Sequence, residues 1–198
     1  MTGDKPKSKS DLRIKYAKLR DETPVYERFA AGEAMCENLF SAAAYKNAAS
    51  VFCYISMKSE TPTSRIFERS RLDGKITAAP VISRRNKTMN FYKITGFDRL
   101  RENYYGIMEP DGGELVEPDE NSLVIVPGLA FGENFSRVGY GGGYYDAYFK
   151  GKSNGVLFGV CYDFQLLPHI EILEYDIVLN GIVTDKRVLI NNNPLNSI

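Results

Sequence analysis

Between Arg137 and Asp146 the chain reads Arg-Val-Gly-Tyr-Gly-Gly-Gly-Tyr-Tyr-Asp, and four of the five residues from Gly139 to Gly143 are glycine. Glycine loses more conformational entropy on folding than any other residue, so such a cluster needs a reason. One reason is anion binding. Positive φ angles let successive backbone N–H groups converge into a nest, and missing side chains let phosphate oxygens come close to the backbone. Tyr144 to Phe149 is expected to begin a helix, whose N-terminus adds partial positive charge. Arg137 offers a planar fork to phosphate oxygens, and Asp146 can ligate a Mg²⁺ that bridges them. The plain alternative is a flexible, glycine-rich surface turn. Two familiar phosphate motifs are excluded. Gly151-Lys152-Ser153 has the ending of a P-loop, but Asp146 stands where the first glycine is required. Gly139-x-Gly141 lacks the third glycine of a dinucleotide fingerprint, because Tyr144 stands there.

Other residues could join that chemistry. Lys9 and Arg13 lie four apart, which puts them on one face of a helix; read by themselves they are ordinary surface charge. Glu60, at the end of Ser56-Met57-Lys58-Ser59-Glu60, is a hydrogen-bond acceptor or merely a helix-entry carboxylate before Thr61-Pro62. Asp176 reads as a loop residue. Tyr144, Tyr145 and Tyr148 could all be core aromatics; Tyr144 directly ends the glycine run and is the one placed against a ligand. His169 reads as a surface or loop residue and receives no role. Cys36, Cys53 and Cys161 are odd in number and far apart, with neither a disulfide framework nor zinc-ligand spacing.

These residues need elements to position them. From Lys9, Leu12, Tyr16 and Leu19 recur at helical spacing. Thr23-Pro24 is expected to cap a second helix reaching Phe40, with Phe29, Cys36, Leu39 and Phe40 on its buried side. Ser50 to Ile55 reads as a buried strand, Thr63 to Leu72 as a helix closed by Gly74, and Ile76 to Val81 as the next strand. That βαβ unit implies parallel pairing. Met89–Ile94, Leu123–Val126 and Val156–Tyr162 supply further strands, with Ile182–Ile190 broken near Asp185. Alternation of this kind gives a single three-layer α/β/α domain with a central, mostly parallel (mixed) sheet over 9–190, between flexible tails at 1–8 and 191–198. Ligands of such folds sit at loops leaving the carboxyl ends of strands, and Leu123–Val126 feeds the glycine run.

The 198 residues are 43% hydrophobic and carry no formal net charge. Residues 1–20 hold seven Lys/Arg against two Asp, and residues 109–120 hold six Asp/Glu. The basic stretch is too short, in a chain of zero net charge, for a nucleic-acid binder. Nothing approaches a signal or a membrane-spanning run. The expectation is a cytoplasmic protein, a monomer or weak dimer, acting on small molecules with neither nucleic acid nor membrane as partner.

The run RVGYGGGYYD, preceded by Pro127-Gly128-Leu129-Ala130-Phe131, resembles the signature of the 5-formyltetrahydrofolate cyclo-ligase family. Lys9-Ser10-Asp11-Leu12-Arg13 is similar to that family's opening helix, Ser56–Glu60 to its substrate-side loop, and Glu109-Pro110, Gln165, Pro168, Asp176 and Thr184 to its later pattern. The likeness spans roughly Lys9 to Val188. It implies a single α/β domain with a mixed sheet. It also implies that Lys9, Ser10, Asp11, Leu12, Arg13 and the stretch Arg137, Val138, Gly139, Tyr140, Gly141, Gly142, Gly143, Tyr144 and Tyr145 contact ATP. Ile55, Glu60 and Tyr140 to Tyr144 would contact the folate, Asp146 and Asp176 would serve Mg²⁺, and Arg137 and Tyr144 would act in catalysis. In the reaction the resemblance implies, ATP phosphorylates the formyl oxygen of 5-formyltetrahydrofolate, N10 attacks the activated carbon, and phosphate leaves 5,10-methenyltetrahydrofolate. Ala147 departs from the Arg that many relatives carry there, and Asp185 stands where Glu is common. A non-catalytic folate or nucleotide sensor and a sugar-phosphate isomerase or acyl-transfer enzyme are the competing classes. The first would lack Arg137 or Asp146, and the second needs an acid–base pair or glutamate nucleophile that no motif supplies.

Overall fold

Ser8 accepts the backbone N–H of Asp11 through its hydroxyl while Asp11 accepts that of Ser8, a capping box that starts helix α1, Lys9–Glu22. Ser8 therefore belongs to the helix and not to a tail. The computed structural model describes residues 8–96, 100–102, 108–152 and 154–192, and the remainder of the two expected tails lies outside these residues, as does Ser153 of the rejected P-loop ending. Thr23, expected to cap the second helix, instead closes α1: its hydroxyl donates to the Leu19 carbonyl at 2.8 Å. Pro24 is the N-cap of α2, Val25–Ser41, with no side-chain cap. Phe29 was expected on the buried side but is 66% exposed, and Met35 takes the core position with Cys36, Leu39 and Phe40.

A short α3, Ala43–Asn47, leads into β1, Ser50–Cys53. Then come α4 (Ser64–Leu72), β2 (Ile76–Ser83), β3 (Thr88–Lys93), β4 (Leu100–Glu102), β5 (Met108–Pro110), β6 (Leu115–Val116) and β7 (Ser122–Val126). After β8 (Ala130–Gly132) and β9 (Arg137–Val138), α5 runs Tyr144–Phe149, followed by β10 (Val156–Val160), β11 (Leu166–Leu167), β12 (Gly181–Val183) and β13 (Val188–Ile190).

Eight strands form one sheet in the order β13-β12-β10-β7-β1-β2-β3-β6. The inner five are mutually parallel, and β13, β3 and β6 add antiparallel edges. The β1–α4–β2 unit is parallel, with Ser50 opposite Ile76. The break expected near Asp185 is the turn of an antiparallel hairpin that pairs Val183 with Val188.

Strand alternation sorts the core. Val51, Cys53, Leu123, Ile125, Phe158 and Val160 face α2, α3 and α4 on one side. Phe52, Val124, Val126, Leu157 and Ile182 face Phe131, Leu179 and, from α5, Tyr145 and Phe149 on the other. A third apolar cluster joins Leu12 and Tyr16 of α1 to Leu129, Ala130, Val138 and Ile170. Asn191, expected in the tail, is still anchored: it donates to the carbonyls of Asn180 and Leu179. The described residues contain no helix long and apolar enough to cross a membrane.

Candidate active site

Beyond the carboxyl ends of β1 and β7 lies a cleft of about 1090 Å³, the size of a small-molecule site. Tyr54 and Ile55 follow β1 into its wall, and Pro127 follows β7. Lys9, Arg13, Met57, Glu60, Arg137, Gly139 to Asp146, Lys150 and Asp176 also line it. The structure thus gathers segments separated by more than a hundred residues.

Arg137 is 6% exposed. Its Nη2 donates to Asp146 Oδ1 at 2.9 Å, and its guanidinium lies 5.8 Å from the centre of the Tyr145 ring. Its Nε and the Tyr145 hydroxyl are buried with no hydrogen-bond partner among the described residues. Burial drives the Tyr145 phenol well above the usual tyrosine range, so it stays a donor. Asp146 Oδ1 also accepts the N–H of Ile177, the residue after Asp176, at 3.2 Å. Asp176 accepts the Lys9 ammonium and the Leu173 N–H; it is a turn residue and a charge partner at once. Two cations and two carboxylates therefore stand paired at one end of the cleft.

The glycines serve two purposes. Gly141 and Gly143 have φ of +96° and +66°, a region that side chains avoid. Gly139 and Gly142 have ordinary φ, contrary to a nest built from successive positive angles, and are required for space. A Cβ on Gly139 would lie 2.5 Å from Arg137 Nη1, and one on Gly142 would lie 2.6 Å from the Tyr144 ring. Arg137 and Tyr144 are thus packed against the backbone of the loop that presents them. Arg13 fixes the loop from the other side, its Nε donating to the Gly139 carbonyl at 2.8 Å.

At the other end stands Glu60. Its Oε2 accepts the Met57 N–H at 2.8 Å and its Oε1 accepts the Tyr140 hydroxyl. Burial first, and then the Glu60 carboxylate, raise the Tyr140 phenol above its ordinary range against the opposing pull of Arg20. Ile55 and Met57 give this end its apolar wall.

Several expected contacts are not brought to the wall. Ser10 and Asp11 interact with Ser8 at the start of α1, while Leu12 and Val138 are buried in the third cluster. Gln165 is 1% exposed and ties the Tyr162 N–H to the Leu129 carbonyl; Thr184 and Asp185 hold the Asp163 turn. His169 is exposed. Lys150 was missed. It lines the cleft as the residue that closes α5, three positions beyond Ala147. Tyr54 and Tyr175 were missed because only the fold brings them near.

Among the described residues no cluster of three or more His, Cys, Asp and Glu could enclose a metal. Asp146 and Asp176 both line the cleft, and carboxylates are the groups that could hold a Mg²⁺, which is commonly bound by one or two of them and completed by substrate phosphates.

A model of the 5-formyltetrahydrofolate cyclo-ligase family matches residues 5–185. A probable 5-formyltetrahydrofolate cyclo-ligase from Schizosaccharomyces pombe is 30% identical, with 79% of this chain and 85% of that protein covered. One from Caenorhabditis elegans is 24% identical over 92% and 95%. The solved structure of Aquifex aeolicus 5,10-methenyltetrahydrofolate synthetase superposes with a TM-score of 0.82 at 31% identity, covering 93% of each chain. A match across nearly the whole domain places this chain in the 5-formyltetrahydrofolate cyclo-ligase family.

Proposed function

We propose that this chain cyclises 5-formyltetrahydrofolate to 5,10-methenyltetrahydrofolate with ATP and Mg²⁺, releasing ADP and phosphate. The observation that carries the reading is the division of one cleft into an ionic end, with Arg137–Asp146 and Lys9–Asp176, and a less polar end, with Ile55, Met57 and Glu60.

A formamide carbon is a weak electrophile and its oxygen a poor leaving group. Attack of the formyl oxygen on the γ-phosphorus of ATP breaks the bond to ADP and makes that oxygen part of a phosphate. N10 then attacks the formyl carbon and loses its proton, and the carbon–oxygen bond breaks as phosphate departs with the oxygen. Such a sequence asks the protein for positioning and charge compensation more than covalent participation. Arg137, Arg13 and Lys9 meet the polyphosphate charge. Gly139 to Gly143 let it approach the backbone, and Tyr144 and Tyr145 close the wall where the two substrates meet. Asp146 and Asp176 would hold Mg²⁺, whose contribution is to neutralise and orient the phosphates.

The ion pairs make that exchange inexpensive. A metal–polyphosphate complex presents an anion to each cation and a cation to each carboxylate. Both pairs can open without leaving a buried charge uncompensated. Glu60 takes the N–H donors of the pterin ring.

The test is formation of methenyltetrahydrofolate, followed by its absorbance. Product is expected only with 5-formyltetrahydrofolate, ATP and a divalent metal together. Undiminished turnover without nucleotide refutes the proposal.

A further inference from the structure

Arg20 has no part in the chemistry described so far and lies outside the cleft wall, yet it is 7% exposed and charged. Its Nε donates to Ser59 Oγ at 3.1 Å and its Nη1 to the Tyr140 hydroxyl at 2.8 Å. Each hydroxyl then donates onward to a carboxylate, Ser59 to Asp21 and Tyr140 to Glu60. Two chains therefore leave one guanidinium, and each runs from cation through hydroxyl to carboxylate.

This arrangement settles proton positions. A hydroxyl has a single hydrogen to donate. With Arg20 filling a lone pair of Tyr140, the phenolic hydrogen is directed to Glu60, and both links are charge-assisted. Glu60 is thereby held at both oxygens, by Tyr140 at Oε1 and by the Met57 N–H at Oε2. A carboxylate offers about four acceptor sites, so each oxygen retains capacity for one more donor. Two such sites side by side match two adjacent N–H donors, as on a 2-amino-4-oxopyrimidine ring.

The same guanidinium joins three segments. Tyr140 belongs to the glycine loop, Ser59 to the loop after β1, and Arg20 to α1, whose Arg13 holds the Gly139 carbonyl. We propose that Arg20 is a positioning residue for the folate end of the cleft, acting through Tyr140 and Ser59 to fix the orientation of the Glu60 carboxylate. This rests on the assignment of Glu60 to the pterin ring made above. Lysine cannot replace it, since a single ammonium lacks the fork that serves both hydroxyls along two directions.

The experiment compares Arg20→Lys, Tyr140→Phe, their double variant and Glu60→Gln in steady-state kinetics with each substrate varied, alongside thermal melting. Arg20→Lys is expected to raise KM for 5-formyltetrahydrofolate about tenfold, the effect of losing one charge-assisted hydrogen bond. KM for ATP stays within about twofold, and the double variant adds little to the larger single effect because both act through one chain. If Arg20→Lys shifts both KM values equally, or lowers only the melting temperature, Arg20 is structural and the inference falls. If Glu60→Gln raises folate KM while Arg20→Lys does not, the inference fails and the Glu60 assignment survives. If Glu60→Gln changes nothing, both fall. Should Arg20→Lys not fold, Ser59→Ala severs one arm outside the cleft wall. It is expected to raise folate KM about threefold with ATP KM unmoved, and an unmoved folate KM overturns the proposal.

Discussion

Arg137 and Asp146, nine residues apart at the two ends of the glycine run, are joined by a 2.9 Å hydrogen bond that closes the run into a loop. The pair is asymmetric: the Arg137 side chain is 6% exposed and that of Asp146 is 24% exposed. Asp146→Ala strands a buried cation, and is expected to cost about 2–3 kcal/mol, below the usual range for breaking a buried pair because Asp146 still reaches solvent. Asp146→Asn keeps an acceptor for Arg137 and for the Ile177 N–H, so its melting temperature is expected near that of the parent. Its metal-dependent turnover is expected to fall on the order of 10²-fold or more, the scale of losing one electrostatic partner of the reacting group. Normal turnover by Asp146→Asn removes Asp146 from the metal site.

The glycine loop divides into separable tests. Gly141→Ala places a side chain at φ +96° and is expected to destabilise by about 1–3 kcal/mol. Gly142→Ala meets no such φ penalty, but its Cβ would press on the Tyr144 ring. Because Gly142 is exposed, melting should change little, while displacement of Tyr144 lowers kcat/KM on the order of 10²-fold. Equal melting losses in the two variants would show that φ is not what separates these positions.

The contrast marks what the sequence could and could not disclose. Leu123–Val126 is an unbroken apolar run and is a wholly buried strand. The glycine run leaves β9 and not β7: the antiparallel β8–β9 hairpin stands between the buried strand and the run it was expected to feed. The run carries residues of unusual type, so both were readable locally. The purpose of each glycine was not, because Gly139 and Gly142 answer to the positions of Arg137 and Tyr144 in space. Thr23 was misread because its hydroxyl serves Leu19 behind it as readily as a helix ahead. Phe29 was misread because helical spacing marks a stripe without saying where the stripe ends. Arg20 was legible in hindsight: it lies seven after Arg13 and eleven after Lys9, on the same helical face. Its partners at 59 and 140 were not, since nothing local encodes a pairing across 120 residues.

The cysteines provide a test independent of function. Cys36, Cys53 and Cys161 are all free and buried. Burial pushes the Cys36 thiol up to about 12 and holds Cys53 and Cys161 well above the ordinary range. Little thiolate exists at pH 8, and none of it is accessible. A chromogenic disulfide reagent should therefore leave the native protein unmodified and titrate three thiols, the full complement of the chain, after unfolding. Rapid reaction of the native protein would contradict the burial described for these three residues.

Alkali is expected to unfold the protein through its buried phenols. Burial raises Tyr45, Tyr148 and Tyr162 from 10 to about 12, and also holds Tyr54 well above its ordinary value. A raised pKa means that the folded state keeps a proton which the unfolded chain releases. Stability from these groups is thus complete below pH 10 and declines as pH rises through about 12, because the unfolded state binds fewer protons across that window. The melting temperature should hold steady from pH 8 to pH 9.5 and then fall with increasing slope. Absorbance at 295 nm after a jump to pH 11.5 should show two phases. Exposed phenols such as Tyr26, at 73% exposure, ionise within mixing time. The buried set ionises only as the chain unfolds, so its rate should equal that of the loss of far-ultraviolet circular dichroism. If every tyrosine titrated in one rapid phase near pH 10 while the protein remained folded, the buried phenols would have to reach water through a breathing motion faster than unfolding. The hydroxyl of Tyr145, buried in the native packing, would then be open to solvent in the folded protein.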